Sequence, residues 1–149
     1  MMDANRELSL TRYIDAPPDK VWDTMVNRQE DWFCPKPWRA KIDHQDQRAG
    51  GRCEMTFYGP GGETQPVNGI YLAFEPGRRF VTTDAIQGDF EPHGPFMIGF
   101  WEIEPEGSGT RLTGRARHWT DEAVEQHKQM GFEAGWGVMA DQLKTLCEA

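Results

Sequence analysis

The apolar positions of this chain change period twice, and the changes divide it into three stretches. Residues 7–14 alternate. Leu8, Leu10 and Ile14 share one face with Arg12 as the exception, while Glu7, Ser9, Thr11 and Tyr13 share the other, the pattern of a half-buried strand. Ala16-Pro17-Pro18-Asp19 stops that strand, and proline with an acidic residue in a first turn opens a helix. Val21, Trp22, Met25 and Val26 give this helix one apolar face. Residues 28–33 read as a second short helix carrying Trp32 and Phe33, closed by Pro35 and Pro37.

From Trp38 the period is two. Trp38, Ala40, Ile42 and His44 alternate with Arg39, Lys41 and Asp43; Cys53, Met55 and Phe57 alternate with Arg52, Glu54 and Thr56. Further strands are predicted over residues 67–75, 80–86, 96–104 and 110–119, separated by glycine- and proline-rich turns and by a polar loop over 87–95. The strand over 96–104 is apolar on both sides, which places it centrally. In the last strand Leu112, Gly114, Ala116 and His118 share an inward face, and Arg111, Thr113, Arg115 and Arg117 face solvent.

At Thr120 the period returns to that of a helix. Thr120 can cap a first turn that continues with Asp121 and Glu122. Val124, Gly131, Phe132, Gly135, Trp136, Met139, Leu143 and Leu146 then recur at three- and four-residue steps, predicting one helix over 120–146, roughly 40 Å long at 1.5 Å per residue. Gly131, Gly135 and Gly137 sit inside this pattern, each costing about 1 kcal/mol relative to alanine. Either they let backbone approach the sheet closely, or they leave volume so that the helix roofs a cavity. The predicted fold is α+β: a seven-stranded antiparallel sheet wrapped around a long C-terminal helix, with two short helices after strand 1. One domain spans residues 1–149, with no repeat or linker.

Charge and composition narrow the function. A net charge of −8, without a basic stripe, argues against nucleic acid. No apolar run is long enough to insert in a membrane, and the first residues lack a signal-peptide pattern. Three widely spaced cysteines, Cys34, Cys53 and Cys147, fit neither a disulfide framework nor a metal site, so the expected compartment is a reducing cytoplasm.

Several short segments in order carry a resemblance: residues 16–22 (APPDKVW), 48–51 (RAGG), Gly69, 75–80 (EPGRRF), 107–113 (GSGTRLT), Gly135-Trp136, and Leu143 with Leu146. Together they resemble the START-like helix-grip (SRPBCC) superfamily, and within it the branch homologous to the C-terminal domain of the activator of heat-shock protein 90 ATPase. The likeness runs from about residue 8 to 146. It implies a cavity between sheet and helix that takes a hydrophobic small molecule. It also implies that a minority of members act as cyclases, aromatases or hydrolases. The segment 32–38 (WFCPKPW) departs from the branch's usual pattern, in which a tryptophan pair is common. A chaperone-interaction or stress-response role ranks last, because only one domain is read here.

The candidate site follows from the aromatic set. Trp22, Trp32, Trp38, Phe57, Tyr71, Phe80, Phe96, Phe100, Trp101, Phe132 and Trp136 suit a partly open apolar pocket, with Met55, Met97 and Met139 as adaptable lining. The expected cavity residues are Trp22, Trp32, Trp38, Met55, Phe57, Tyr71, Phe100, His118, Phe132, Gly135, Trp136 and Met139. Catalysis, if present, would fall to His118, to Glu102 if it faces inward, or to Asp84, with Tyr71 and Arg12 behind them. No cofactor or metal is expected: His44, His93, His118 and His127 are scattered, and Asp89, Glu91 and His93 form only a weak loop cluster. The expected partner is a hydrophobic small molecule. A homodimer through sheet edges or exposed tryptophan stays open, and a chaperone partner is not favoured.

Overall fold

The computed structural model describes residues 6–94 and 97–149. In chain order the elements are β1 (Glu7–Ile14), α1 (Pro18–Asn27), a 3-10 turn (Gln29–Asp31), β2 (Arg39–Gln45), β3 (Arg52–Tyr58), β4 (Thr64–Glu75) and β5 (Arg79–Thr83). They continue with β6 (Ile86–Gln87), β7 (Glu91–Pro92), β8 (Ile98–Glu106), β9 (Gly109–Arg117), α2 (Asp121–Gln129) and α3 (Phe132–Glu148). Seven strands make one antiparallel sheet in the order β1-β9-β8-β5-β4-β3-β2, and β6 pairs with β7 in a small separate hairpin. The long return from β1 to β9 places the ends of the chain side by side. Hairpin succession builds the rest.

Alternation along each strand gives the sheet two unlike faces. On the concave face Trp101 lies opposite Gly114 and Phe80, and Leu10 also lies opposite Gly114. A side chain on Gly114 would come within 3.0 Å of the Trp101 ring and 3.3 Å of Trp136. Its absence lets those two indoles stack at 5.0 Å and 14°. Trp32 meets Trp101 edge-on at 5.0 Å and, fully buried, donates its indole N–H to the Met25 carbonyl at 3.2 Å. Leu143, Ala140 and Cys147 of α3 and Val21 and Met25 of α1 close the core.

The expected single helix over 120–146 is two helices. Thr120 caps α2, its hydroxyl accepting from the Ala123 N–H at 3.0 Å. The chain then breaks at Met130-Gly131, where Gly131 adopts φ 92, a conformation open to glycine and strained for other residues. The second short helix over 28–33 is only the 3-10 turn. The strand expected over 80–86 stops at Thr83, and Ile86–Gln87 pairs instead with Glu91–Pro92 inside the region read as loop. The expected start of the eighth strand at Phe96 lies outside the described residues.

The convex face is more ordered than a solvated arginine stripe. Glu102 accepts from Arg115 at 2.8 and 2.9 Å and from Arg79 at 3.3 Å. Glu7 accepts from Arg115 at 2.9 Å and from Arg117 at 3.0 Å. Phe100 lies beneath this ladder, with the Arg115 and Arg117 guanidinium carbons 4.1 and 4.8 Å from its ring centre. Phe100 therefore belongs to the face opposite the expected cavity. Its neighbours in the strand, Trp101 and Gly99, point the other way, as strand geometry requires.

A candidate ligand groove

The strands of the sheet are unequal in length, and a gap results. β4 pairs with β3 from Thr64 to Ile70, but its ladder to β5 begins only at the pair Ile70–Thr83. β5 meets β8 no further than the pair Thr83–Ile98. Beyond that level β5, β8 and β9 have all ended, while β4, paired with β3, runs on to Thr64 as an overhang. Pro66, which has no backbone N–H to offer, lies opposite Thr56 of β3 in the stretch of β4 that has no β5 partner. The groove beside this overhang has a volume of about 350 Å³, at the small end of ligand-pocket sizes. Cys53, Val67, Met97 and Gly99 supply apolar surface, and Asn68, Thr82, Asp84, Gln87 and His93 add polar groups.

Helix α3 reaches this groove through Trp136, whose ring tip is 3.5 Å from where a side chain on Gly99 would begin. The helix glycines separate into different roles. A side chain on Gly135 would meet nothing within 4 Å, whereas one on Gly137 would come within 3.1 Å of the Arg12 guanidinium. Arg12 in turn pairs with Asp141 at 2.8 Å. Gly137 thus allows close approach of α3 to β1, and Gly135 leaves space.

The groove floor connects to a buried polar chain that periodicity did not reveal. Gln47 donates to Gln45 at 3.3 Å, and Gln45 donates to Gln29 at 2.5 Å and to the Tyr71 hydroxyl at 3.0 Å. Tyr71 then hydrogen-bonds Cys53. Burial pushes the Tyr71 hydroxyl far above its ordinary range and the Cys53 thiol up to about 11. Among the described residues, Gln29 Nε2 is the one buried side-chain polar atom with no hydrogen-bond partner. Glutamines at polar positions of strand ends read as surface residues, so nothing in the sequence singled out this chain.

The expected cavity residues fall in several places. Trp32, Tyr71, Phe132 and Met139 are buried in the common core, and Met55 is buried on the inner face of β3. Trp22 packs on Phe74 at 5.5 Å, and Phe57 lies 6.5 Å from Phe33. Trp38 stands apart, against the Gly59 turn. Gln142 of α3 donates to the Trp32 and Cys34 carbonyls at 3.0 Å each, so the unusual segment 32–38 is docked on the helix.

The three catalytic candidates do not converge. Asp84 lines the groove and accepts from the Met97 N–H at 3.2 Å. Glu102 is on the convex face. Burial alone would raise its carboxyl pKa, but Arg115 and Arg79 outweigh that and hold it below the usual range, so it is no general acid. His118 points inward as expected and is buried, but its partner is His127 of α2, nitrogen to nitrogen at 2.9 Å. His118 Nδ1 must donate to the Arg6 carbonyl at 3.0 Å, because a carbonyl only accepts. In the neutral pair His118 Nε2 is then the acceptor and His127 Nδ1 the donor. Burial first, and the His118 charge second, push His127 down to about 4. The His127 ring abuts the roof of the core, 5.2 Å from Phe132 and 6.1 Å from Trp136. Nine residues and a strand-to-helix corner separate the two histidines, so the pair was invisible to spacing rules.

Among the described residues, no three His, Cys, Asp or Glu side chains converge so as to hold a metal ion. Cys34, Cys53 and Cys147 are free thiols. No described helix is long and apolar enough to cross a membrane.

A curled seven-stranded antiparallel sheet closed by a C-terminal helix defines the helix-grip class, whose members commonly bind hydrophobic ligands. Residues 15–148 match the family described as activator of Hsp90 ATPase homolog 1-like protein, and the chain belongs to that family. A crystal structure of a Nitrosomonas europaea protein is similar over 97% of this chain and 96% of its own, at 33% identity and a TM-score of 0.88. A Chromobacterium violaceum protein matches over 97% and 98% at 26% identity and a TM-score of 0.76. The AHSA1 protein of Silicibacter pomeroyi shares the fold at 18% identity, over 93% and 95%, with a TM-score of 0.69. No curated protein matches the chain.

Proposed function

We propose that this protein binds an apolar or aromatic small molecule in the groove beside the overhang of β3 and β4, where β5 and β8 end. The groove itself carries the reading: about 350 Å³ with an apolar floor at Cys53, Met97 and Gly99, next to a helix whose Gly135 faces open space. The class habit of binding hydrophobic ligands supports it. A cofactor-independent cyclase or hydrolase is the weaker reading, since Asp84 lies at the groove while His118 and Glu102 do not line it. Chaperone contact, which the family description brings to mind, has no surface among the described residues that argues for it.

The test is native mass spectrometry of the purified protein, followed by a thermal-shift screen with lipids, phenols and polyketide-like aromatics. A ligand at a hundred times its Kd adds about 2.7 kcal/mol to stability, which raises Tm by roughly 5–10 °C in a domain of this size. A screen in which no such compound moves Tm and no adduct is retained would end the proposal.

A further inference from the structure

The polar groups around the groove are hydroxyls, amides, an imidazole and one carboxylate, and this bears on what can enter. Among the described lining residues there is no lysine or arginine, and the one fixed charge is the carboxylate of Asp84. The Nδ1 of His93 donates to the Gly94 carbonyl at 3.2 Å. At the floor, Cys53 reports directly on how the site treats negative charge. Burial pushes its thiol up to about 11, even though a Tyr71 hydrogen bond favours the thiolate. Surroundings that resist a thiolate resist a carboxylate for the same reason: lost hydration is not replaced by a cation. The protein as a whole adds a net charge of −8.

We propose that the groove selects uncharged ligands, an apolar ring skeleton bearing a hydroxyl group, and excludes carboxylates. The inference rests on the binding reading above and narrows its ligand class. The hydroxyl hydrogen is matched to Asp84, whose carboxylate only accepts, and to the Thr82 hydroxyl and Asn68 amide, which can do both. A ligand carboxylate at the same place faces Asp84 as a like charge in a partly dry site, where the repulsion is poorly screened.

The experiment compares 2-naphthol with 2-naphthoate by calorimetry at pH 7.5, on the wild-type protein and on two variants. Asp84→Asn keeps an acceptor for the Met97 N–H but removes the charge. Val67→Trp fills the groove from its exposed edge, where Val67 is 37% exposed and outside the core. Expected is a Kd for naphthol at least about tenfold below that for naphthoate, one tenfold step being a modest like-charge repulsion. Asp84→Asn should narrow this ratio to threefold or less, and Val67→Trp should abolish binding without lowering Tm. Naphthoate binding as tightly as naphthol, with both blocked by Val67→Trp, overturns the charge selection and leaves the binding reading standing. An Asp84→Asn protein with an unchanged ratio overturns the charge selection in the same way. Naphthol binding that survives Val67→Trp places the site elsewhere and overturns the assignment to this groove. If neither compound binds, the groove takes no ligand of this class and both readings fall.

Discussion

Single residues in this protein are defined by what surrounds them rather than by their type. Cys53 has the residue identity of a nucleophile, yet at the end of a buried hydrogen-bond chain its thiol is raised to about 11. Against an ordinary value of 9.0, that shift leaves roughly a hundredfold less thiolate near pH 8, and thiolate is the reactive form. Burial raises Cys34 and Cys147 as well. The expected result is that maleimide or iodoacetamide labels Cys53 about a hundredfold more slowly in the native protein than in the urea-unfolded chain. Labelling of native Cys53 at the unfolded rate, located by peptide mapping, would contradict the environment described. Glu102 shows the same dependence with opposite sign, its arginine neighbours keeping it ionised where burial alone would not. Alternation predicted only that it faces one side of β8. The flanking arginines became its partners when β5 and β9 paired alongside.

At the scale of elements, the three glycines of the C-terminal region test the structure against one another. Gly131 is the left-handed corner between α2 and α3, and Gly131→Ala should cost about 1–2 kcal/mol because φ 92 is strained for any side chain. Gly135 lies inside α3 with nothing within 4 Å of an added Cβ, so Gly135→Ala should stabilise by up to about 1 kcal/mol through helix propensity alone. Gly137→Ala should show less of that gain, since Arg12 must first retreat from 3.1 Å. Urea midpoints of the three variants check this order, and a Gly131→Ala protein as stable as wild type would remove the corner from the account. Apolar periodicity ran without interruption through Gly131, so the sequence read one helix. Local backbone geometry at a single glycine made two.

For the whole molecule, the His118–His127 pair ties the last strand of the sheet to α2, and the tie responds to acid. His127 titrates near 6.5 when unfolded and near 4 when folded. Between those values the unfolded chain binds the extra proton, so stability is complete above about pH 6.5 and declines as pH falls toward 4. The depression corresponds to at most about 3 kcal/mol over that window, and to less where solvent screens the ring. His127→Gln cannot take up the proton, so the fall in urea midpoint between pH 6.5 and pH 4 should be smaller in the variant than in the wild type. Equal slopes would mean that the pair is not a proton-linked element of the fold.

What the sequence determined by itself was the seven main strands and their antiparallel layout, the helical C-terminal region, the inward face that carries His118, and the family resemblance. These depend on local periodicity and turn residues, which act over a few positions at a time. The tertiary structure decided everything that depends on two distant segments meeting. It stacked Trp101 on Trp136 across Gly114 and turned Phe100 to the convex face beneath two arginines. It joined His118 to His127, strung the glutamines between Tyr71 and Gln29, and opened the groove at the point where β5 and β8 end while β3 and β4 run on. That last feature is a difference in strand length across a sheet, and a difference between strands is a property of their pairing and of no single stretch of chain.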